Sequence, residues 1–392
     1  MLSGQYIFAQ LIEFLPQKYF QRLVMKYEGD KYVKHFSCWN QLLVMMFGQL
    51  SNRNSLRDLT STISAHSSKS YHLGFGKSIT RSNLSKANER RDPKIFEDFA
   101  YHMIDIARIK RIVNDFEIEG KVYAFDSTTI DLCLSVFWWA KFRKTKAGIK
   151  LHTLFDVETQ IPAFVHVTPA KVHDMNAMDV IPYETGAYYV FDRGYFDLKR
   201  LNHITQIESY FVIREKSRLQ YEVIKDQDTN HNADGILADQ IIKLTGYASS
   251  RKYPGELRRV VYYAESLNHT YVYLTNNVEA SAYQIALLYK YRWHVELFFK
   301  WIKQHLEIKS FWGTTEGAVR IQIFTAIIAY CMVAIVEHDL HLNRSTYEVL
   351  RVLSASLLDK TPVRELFSKE TNMGENETQL KLILLVNTNE KK

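Results

Sequence analysis

Cysteine is scarce in this sequence, and export or membrane signals are absent from it. Cys38, Cys133 and Cys331 are far apart and lack metal-ligand spacing, which excludes a disulfide framework and favours a reducing compartment. The N-terminus lacks the charged-then-apolar pattern of a signal peptide. Polar residues interrupt the most apolar run, residues 321–336, so that run predicts a buried helix and not a membrane span.

Internal repeats and low-complexity tracts are also absent, although the tail after Lys369 is polar and predicted to be frayed. The chain has 392 residues, of which 46% are hydrophobic and 24% charged. This composition is typical of an ordinary globular protein with two or three structural units. The formal net charge of +7 favours a polyanionic partner without identifying one.

Residues 281–306 form the most informative stretch, because they contain no proline or glycine and predict one long helix. At about 100° per residue, Tyr289, Arg292, Glu296 and Lys303 fall within roughly 60° of one another. A neighbouring stripe is apolar and consists of Leu288, Val295, Phe299, Ile302 and Leu306. The helix is therefore expected to bury one face and to present a polar one; a solvated charged face is the alternative.

The spacing Y-x2-R-x3-E-x6-K, read within YKYRWHVELFFKWIKQHL, resembles the signature of the DDE transposases of bacterial insertion sequences, specifically the IS-four family. The resemblance extends from about residue 8 to residue 340. It implies a ribonuclease-H-like catalytic core in which two further carboxylates lie upstream, each at the end of a strand.

Both carboxylates can be placed on predicted strands. Residues 122–125 form a short apolar run that ends in Asp126, and residues 187–191 form another that ends in Asp192. The remaining elements are predicted as strands 149–155, 161–168 and 210–213 and as helices from about Asp174 to Ile181 and from Leu198 to Gln206. Three strands, a helix, a strand, a helix and a strand is the order of the ribonuclease-H-like fold.

Asp126, Asp192 and Glu296 are accordingly the candidate catalytic and metal-binding residues. Phosphodiester transfer needs an activated oxygen nucleophile and a stabilised leaving oxygen, and two hard cations can provide both. Carboxylates suit Mg²⁺, so two Mg²⁺ ions are expected, for which Mn²⁺ can substitute. Asp131 and Asp156 are weaker candidates, because neither is predicted to close a strand.

Four further side chains on the signature helix, Tyr289, Arg292, Lys300 and Lys303, are predicted to contact DNA. Cations beside a catalytic acid are suited to phosphates, and arginine offers a planar fork for them. The resemblance implies that the tyrosine and arginine grip the terminal phosphate of the transposon end. The alternative is that these side chains form salt bridges with Asp126 or Asp192.

Two other polar stretches have predicted roles. Asp174, in a His-Asp pair that resembles one found after the third strand in this family, is expected to cap the next helix. The basic residues 141–146 follow Trp138 and Trp139 and suit a distorted DNA end, although a core tryptophan beside a basic loop is equally consistent.

Residues 1 to about 110 read as helical. A capped helix is predicted to start at Ser55, and residues 80–91 form a second short helix, so the pair could form a helix-turn-helix. Residues 51–94 contain nine Lys or Arg against three Asp or Glu, which suits phosphate contact but also a solvated surface. The candidate DNA-binding residues of this region are Arg81, Lys86, Arg90 and Arg91.

The predicted fold class is therefore α/β, with a ribonuclease-H-like core and a β-rich insertion after an all-helical N-terminal DNA-binding domain. We predict a helical domain at 1–115, a catalytic domain at 116–340 with its insertion at about 215–269, and a helical segment with a polar tail at 341–392. Charges in the insertion balance at eight of each sign, so it is not an obvious DNA clamp.

The resemblance implies a cut-and-paste DNA transposase that binds terminal inverted repeats, cleaves at the element ends and joins 3′ hydroxyls to target DNA. The expected partners are double-stranded DNA and a second copy of the chain in a synaptic complex, without a membrane. The expected location is the bacterial cytoplasm, at the nucleoid. Two alternatives stay open, an inactive or domesticated DNA-binding relative and another ribonuclease-H-like nuclease.

Overall fold

The computed structural model describes residues 4–76, 79–112, 120–143, 146–216, 219–227, 235–305 and 311–368. Its helices are α1 (Ile7–Ile12), α2 (Gln17–Lys26), α3 (Cys38–Leu50), α4 (Leu56–Ala65), α5 (Arg81–Arg90), α6 (Lys94–Lys110), α7 (Leu198–Gln206), α8 (Tyr247–Lys252), α9 (Ala282–Tyr291), α10 (Trp293–His305), α11 (Glu316–Asp339), α12 (Thr346–Ser356) and α13 (Val363–Leu366). Its strands are β1 (Val122–Leu132), β2 (Lys141–Arg143), β3 (Lys146–Asp156), β4 (Ile161–Pro169), β5 (Tyr188–Phe191), β6 (Tyr210–Arg214), β7 (Tyr221–Asp226), β8 (Ile236–Leu244), β9 (Glu256–Ala264) and β10 (His269–Thr275). The tail after Lys369, predicted to be frayed, lies outside the described residues.

The elements of the central sheet follow one another along the chain in the order predicted for a ribonuclease-H-like core, except that the short strand β2 is added and the first predicted helix is the 3₁₀ turn Asp174–Val180. Strands β1, β5 and β6 are parallel neighbours, while β3 pairs antiparallel with β1 and β4 pairs antiparallel with β3. Helix α7 connects β5 to β6, as a parallel pair requires. The fold is thus mixed α/β around one large sheet, preceded by a helical N-terminal region.

Strand β1 begins with a continuous apolar run because both faces of the sheet are covered. Val122 and Ala124 belong to a hydrophobic core that includes α11, and the alternating Tyr123 and Phe125 belong to a second core that includes α7. Successive side chains of a strand point to opposite faces, so β1 supplies both cores. This burial fixes the strand in place beneath the site described below.

The β-rich insertion extends the same sheet. Strand β10 pairs antiparallel with β6, and β9, β8 and β7 follow in that order. The apolar runs 257–263 and 271–274 predict a hairpin from the sequence, and the structure confirms it as the antiparallel pair β9–β10. Strand β10 reaches Thr275, which is beyond the boundary of 269 expected from the sequence.

Helix α11 forms the centre of the larger hydrophobic core. It is long and apolar enough to cross a membrane, but 94% of its most apolar window is buried within the fold. Helices α3 and α6, from the N-terminal region, pack directly against it. The core is therefore continuous across residue 115, and the division into three domains stays a prediction.

The signature helix is divided, and the expectation of one uninterrupted helix is wrong. Ser281 caps α9 through a capping box with Gln284, as a helix start requires. At Arg292 the backbone N–H donates to the carbonyl of Tyr289, three residues back instead of four, and α10 then begins. Such a local tightening needs neither proline nor glycine, so composition did not reveal it. Leu306 lies outside the described residues.

Helices α4 and α5 do not form the predicted tight helix-turn-helix. Ser55 caps α4 as expected, and its hydroxyl accepts from the N–H of Asp58. Residues 66–80 separate the two helices, whereas the turn of that motif has about three or four residues. The two helices contact one another, but with a different connection.

Candidate active site

Asp126 and Asp192 lie next to each other because their strands are parallel neighbours in register. Phe125 pairs with Phe191, and each aspartate follows its phenylalanine. Asp192 comes directly after β5, as predicted. Asp126 does not end its strand: β1 continues to Leu132 because β3 goes on pairing with it.

Glu296 joins the two aspartates from the first turn of α10. The guanidinium of Arg292 donates to Asp126 Oδ2 at 2.9 Å and to Glu296 Oε1 at 2.5 Å. The hydroxyl of Tyr289 donates to Asp192 Oδ1 at 3.3 Å. Through these bonds the structure brings together five of the residues singled out from the sequence, on two strands and two helices.

The cations of the signature are not unpaired in this state, contrary to the expectation from the sequence. Arg292 forms the salt bridge with Asp126 that was the alternative reading, and both of these side chains are largely buried. The ammonium group of Lys303 donates to the carbonyl oxygen of Thr129 on β1 at 2.9 Å. Lys300 is exposed to solvent.

The two aspartates have opposite electrostatic environments. Burial raises the pKa of Asp126 to about 6, with Glu296 and Asp192 adding to the effect and Arg292 opposing it. Burial also acts on Asp192, but Arg292, the backbone N–H groups that follow it and the Tyr289 hydroxyl together lower its pKa below the usual range. Burial opposes the charge on Arg292, but Tyr289 and the two acids it contacts raise its pKa. Of the two aspartates, Asp126 is thus the one whose charged form is disfavoured by burial on balance, although Arg292 acts on both.

The donor atoms of this site suit a divalent cation, but Arg292 now binds two of the acids. Carboxylate oxygens are the ligands that Mg²⁺ prefers, and the guanidinium between Asp126 and Glu296 shows that both carboxylates face a common positive charge. Within the described part of the chain, no three Asp, Glu, His or Cys side chains are close enough to hold a metal. Arg292 occupies Asp126 Oδ2 and Glu296 Oε1, so a metal ion that used either oxygen would compete with the guanidinium.

Asp174 has a role that the sequence did not indicate. The cap of the 3₁₀ turn Asp174–Val180 is the side chain of His173, so the expectation that Asp174 caps it is wrong. Asp174 Oδ1 instead accepts from the Ser127 hydroxyl at 2.7 Å and lies 3.0 Å from Lys150 Nζ. These partners lie on β1 and β3, and no local sequence pattern connects them to Asp174.

The weaker metal candidates have structural roles or lie at the surface. Asp156 closes β3, which the sequence did not predict, and it is buried in a salt bridge with Arg108 at 3.0 Å. Asp131 is exposed. His152 lacks zinc-site spacing in the sequence, which favours a core or loop histidine. In the structure it is buried, and its Nε2 lies 2.9 Å from the Thr168 hydroxyl.

The four basic candidates of the N-terminal region separate into two groups. Arg81, Lys86 and Arg90 are exposed on α5. Arg91 is buried: its guanidinium donates to the carbonyls of Phe36 and Ser37 and to the Gln41 side chain. The prediction that Arg91 contacts DNA is therefore wrong, because its donors are used inside the helical region.

The two tryptophans before the basic stretch differ as well. Trp138 is 76% exposed, whereas Trp139 is partly buried and donates from Nε1 to the Thr314 carbonyl. The interpretation as a core tryptophan thus applies to Trp139 alone. Residues 144 and 145 of the basic stretch lie outside the described residues.

Comparisons with known proteins show which family the chain is similar to. Residues 118–332 match the family described as Transposase DDE domain, and residues 3–76 match a Domain of unknown function (DUF4372). A Sinorhizobium fredii protein named as transposase y4zB is 35% identical over 272 residues, which cover 68% of this chain and 74% of that protein.

Two further relatives are named as transposases of insertion sequence elements. The IS5377 protein of Geobacillus stearothermophilus is 32% identical over 53% of this chain and 54% of its own length. The IS4SA protein of Synechocystis is 25% identical over 73% of this chain and 80% of its own. Among solved structures, the piggyBac transposase synaptic complex with hairpin DNA matches with a TM-score of 0.47 and 10% identity, covering 98% of this chain and 86% of that one.

Proposed function

The chain belongs to the Transposase DDE domain family, and on that premise we propose that it moves a bacterial insertion sequence by cutting and pasting DNA. It is an insertion-sequence transposase, and therefore an enzyme that acts on DNA. In the proposed reaction the protein binds the terminal inverted repeats of its element, cleaves at the element ends and joins the 3′ hydroxyls to target DNA. The observation that carries this proposal is that Arg292 binds Asp126 and Glu296 while Tyr289, three residues before it, binds Asp192 on the neighbouring strand end.

The family uses divalent metal ions, and in this chain Asp126, Asp192 and Glu296 are the residues that would hold two Mg²⁺ ions, or Mn²⁺ in their place. When bound, such ions activate the attacking oxygen and stabilise the leaving oxygen of the phosphodiester. Asp126 lies on a strand that begins buried, Asp192 directly follows a buried strand of the same sheet, and Glu296 lies on a packed helix, so the donors start from a rigid frame.

Arg292 and Tyr289 are proposed to bind the terminal phosphate of the element end. The guanidinium already binds Asp126 and Glu296. When those acids bind metal, a phosphate beside Arg292 would replace them as its bidentate anionic partner. Lys300, exposed on α10, and Lys303, one turn further on, would contact the neighbouring backbone. Arg292, which binds two of the acids in this structure, would thus also bind the substrate.

DNA recognition is proposed to use the exposed cations Arg81, Lys86 and Arg90 of α5. Their three positive charges lie on a short helix in the most basic segment of the N-terminal region, which suits contact with phosphates.

Two chains are proposed to act together, because both ends of an element must be cut and joined and one active site holds one end at a time. A symmetric pair of DNA ends favours a two-fold homodimer in the synaptic complex. The proposed location is the bacterial cytoplasm, where the nucleoid supplies both element and target.

Duplex oligonucleotides that carry an element end and its flanking DNA test the proposal. The wild-type protein should nick and then join these ends in Mg²⁺ or Mn²⁺. Asp126→Asn, Asp192→Asn and Glu296→Gln should each abolish cleavage and retain end binding. Asp131→Asn is the matched control, because Asp131 is an exposed aspartate on the same strand as Asp126.

Three outcomes would contradict the proposal in different ways. Full cleavage by any of the three acid variants would refute the site assignment. Cleavage without strand joining by the wild-type protein would favour a nuclease. End binding without cleavage would favour an inactive DNA-binding relative.

A further inference from the structure

We infer that Asp174 is a positioning residue for the catalytic Asp126 and acts on it through Ser127 from the opposite face of the sheet. The inference rests on the proposed catalytic role of Asp126. Asp174 belongs to the 3₁₀ turn Asp174–Val180, which follows β4 and contains none of the proposed catalytic residues.

A chain of two short hydrogen bonds connects the two aspartates. Asp174 Oδ1 accepts from the hydroxyl of Ser127 at 2.7 Å. The backbone N–H of Ser127 in turn donates to Asp126 Oδ1 at 2.7 Å. Asp126 Oδ2, the other oxygen of that carboxylate, accepts from Arg292 at 2.9 Å. The first oxygen is thereby held by the strand, and the second faces the site.

Asp174 binds Ser127 on the face of the sheet opposite to the Asp126 side chain. Asp126 and Ser127 are consecutive on β1, so their side chains point to opposite faces. On the face of Asp126, β1 packs against α10, which carries Glu296. On the face of Ser127, Phe125 belongs to the core that also contains Ala177 and Met178 from the turn of Asp174. Asp174 can thus restrain the Asp126 backbone without occupying the space needed by substrate.

Lys150 of β3 holds Asp174 in this position. Its ammonium group lies 3.0 Å from Asp174 Oδ1 and also donates to the carbonyl of Val172 at 2.9 Å, and the lysine side chain is only 15% exposed. Burial acts against the charge of Asp174, but the bonds from Ser127 and Lys150 lower its pKa below the usual range. Asp174 is thus bound by Ser127 of β1 and by Lys150 of β3. A turn aspartate more typically makes one local hydrogen bond.

The test compares Asp174→Ala with Asp179→Ala in the full-length protein. Asp179 is a matched control because it lies in the same 3₁₀ turn but is directed to Arg200, at 2.7 Å, on α7. Mn²⁺ affinity by calorimetry, end-DNA affinity, cleavage rate and melting temperature are measured for each variant. Outer residues that orient metal ligands contribute about ten- to a hundredfold in metal affinity or activity.

We expect Asp174→Ala to lower Mn²⁺ affinity and cleavage rate by roughly that factor, while DNA affinity and melting temperature stay as in Asp179→Ala. Asp174→Asn keeps an acceptor for Ser127 and should recover part of the loss. The double variant with Ser127→Ala should be no worse than the more severe single variant, since both act through one chain of bonds.

Two results would overturn the inference. Asp174→Ala could match Asp179→Ala in Mn²⁺ affinity and cleavage, or it could reduce melting temperature and DNA affinity as strongly as it reduces Mn²⁺ affinity. In either case, loss of cleavage in Asp126→Asn would leave the proposed function standing. Cleavage by Asp126→Asn would instead refute the catalytic assignment of Asp126 in the proposed function, on which the inference rests.

Discussion

Replacing Arg292 with methionine should raise the affinity of the DNA-free protein for divalent cations. The guanidinium binds Asp126 Oδ2 and Glu296 Oε1, which are two of the oxygens that the proposed metal site needs. A cation that enters the site must therefore displace Arg292 from at least one of them. Methionine keeps an apolar stem of similar length and removes the competing charge.

The size of the effect follows from the bond that has to be broken. A hydrogen bond to a charged group contributes about 1.5–3 kcal/mol. We count only the bond to Asp126, because those two side chains are 12% and 20% exposed, whereas Glu296 is 34% exposed and its pair is screened by solvent. At about 1.4 kcal/mol per factor of ten, Mn²⁺ affinity should rise roughly ten- to a hundredfold.

Stability should change in the opposite direction. Without Arg292, Asp126 and Glu296 lose their common counter-ion, and breaking a buried ion pair from one side costs up to about 3–5 kcal/mol. The metal-free variant should therefore melt at a lower temperature than the wild type. Added Mn²⁺ should restore more stability to the variant than to the wild type, because it binds the variant more tightly.

Calorimetric titration of Mn²⁺ into DNA-free protein, with melting curves at the same metal concentrations, measures both effects. Arg200→Met is the control, since Arg200 forms an ion pair with Asp179 away from the site. With DNA present, Arg292→Met should still be impaired in the steps after first-strand nicking, because the terminal phosphate loses its proposed partner. An Mn²⁺ affinity that falls together with strand transfer would refute the reasoning and make Arg292 a structural support of the acids.

Three further predictions use other parts of the structure. Mn²⁺ affinity of the wild type should be nearly constant above pH 7 and should fall about tenfold per pH unit well below pH 6. The reason is that protonated Asp126 cannot bind metal, and burial raises the pKa of Asp126 to about 6. A flat profile from pH 5 to 8 in calorimetry would contradict this. Arg91→Ala should destabilise the fold by about 3 kcal/mol, because buried carbonyls lose their donor, whereas exposed Arg90→Ala should leave the melting temperature unchanged. Replacing Arg81, Lys86 and Arg90 with alanine should reduce the slope of log affinity against log salt by roughly 3 in gel shifts, and an unchanged slope would exclude α5 from the interface.

The sequence predicted the parts of the site that depend on local patterns. Residues 122–125 and 188–191 are apolar runs bounded by an aspartate, and both lie in the strands expected of them. The spacing of Tyr289, Arg292 and Glu296 placed them on one side of a helical stretch. In the structure Tyr289 binds Asp192, and Arg292 binds both Asp126 and Glu296. Helical periodicity survives the break at Arg292 because the chain tightens there by only part of a turn.

Strand pairing between distant segments of the chain was harder to predict from the sequence. Residues 127–132 of β1 are mixed in polarity and contain no run that predicts a strand, but β3 pairs with them as far as Leu132. Strand propensity depends on such partners more than on the residues themselves. Pairing also extends β3 at both ends, to Lys146 and Asp156, beyond the strand predicted at 149–155.

Arg90 and Arg91 show why neighbouring residues of one type can have different functions. Arg90 is the last residue of α5 and is exposed, whereas Arg91 leaves the helix with an extended backbone, at φ −76° and ψ 143°. This change of direction places the Arg91 guanidinium within reach of Gln41 and of the carbonyls that precede α3. The partners of Arg91 are some fifty positions away in the chain, so no local pattern shows that its guanidinium is buried. Net charge therefore counts both arginines equally, although only Arg90 is exposed. Charge density therefore located the basic segment, but burial decides which of its charges are available to a phosphate.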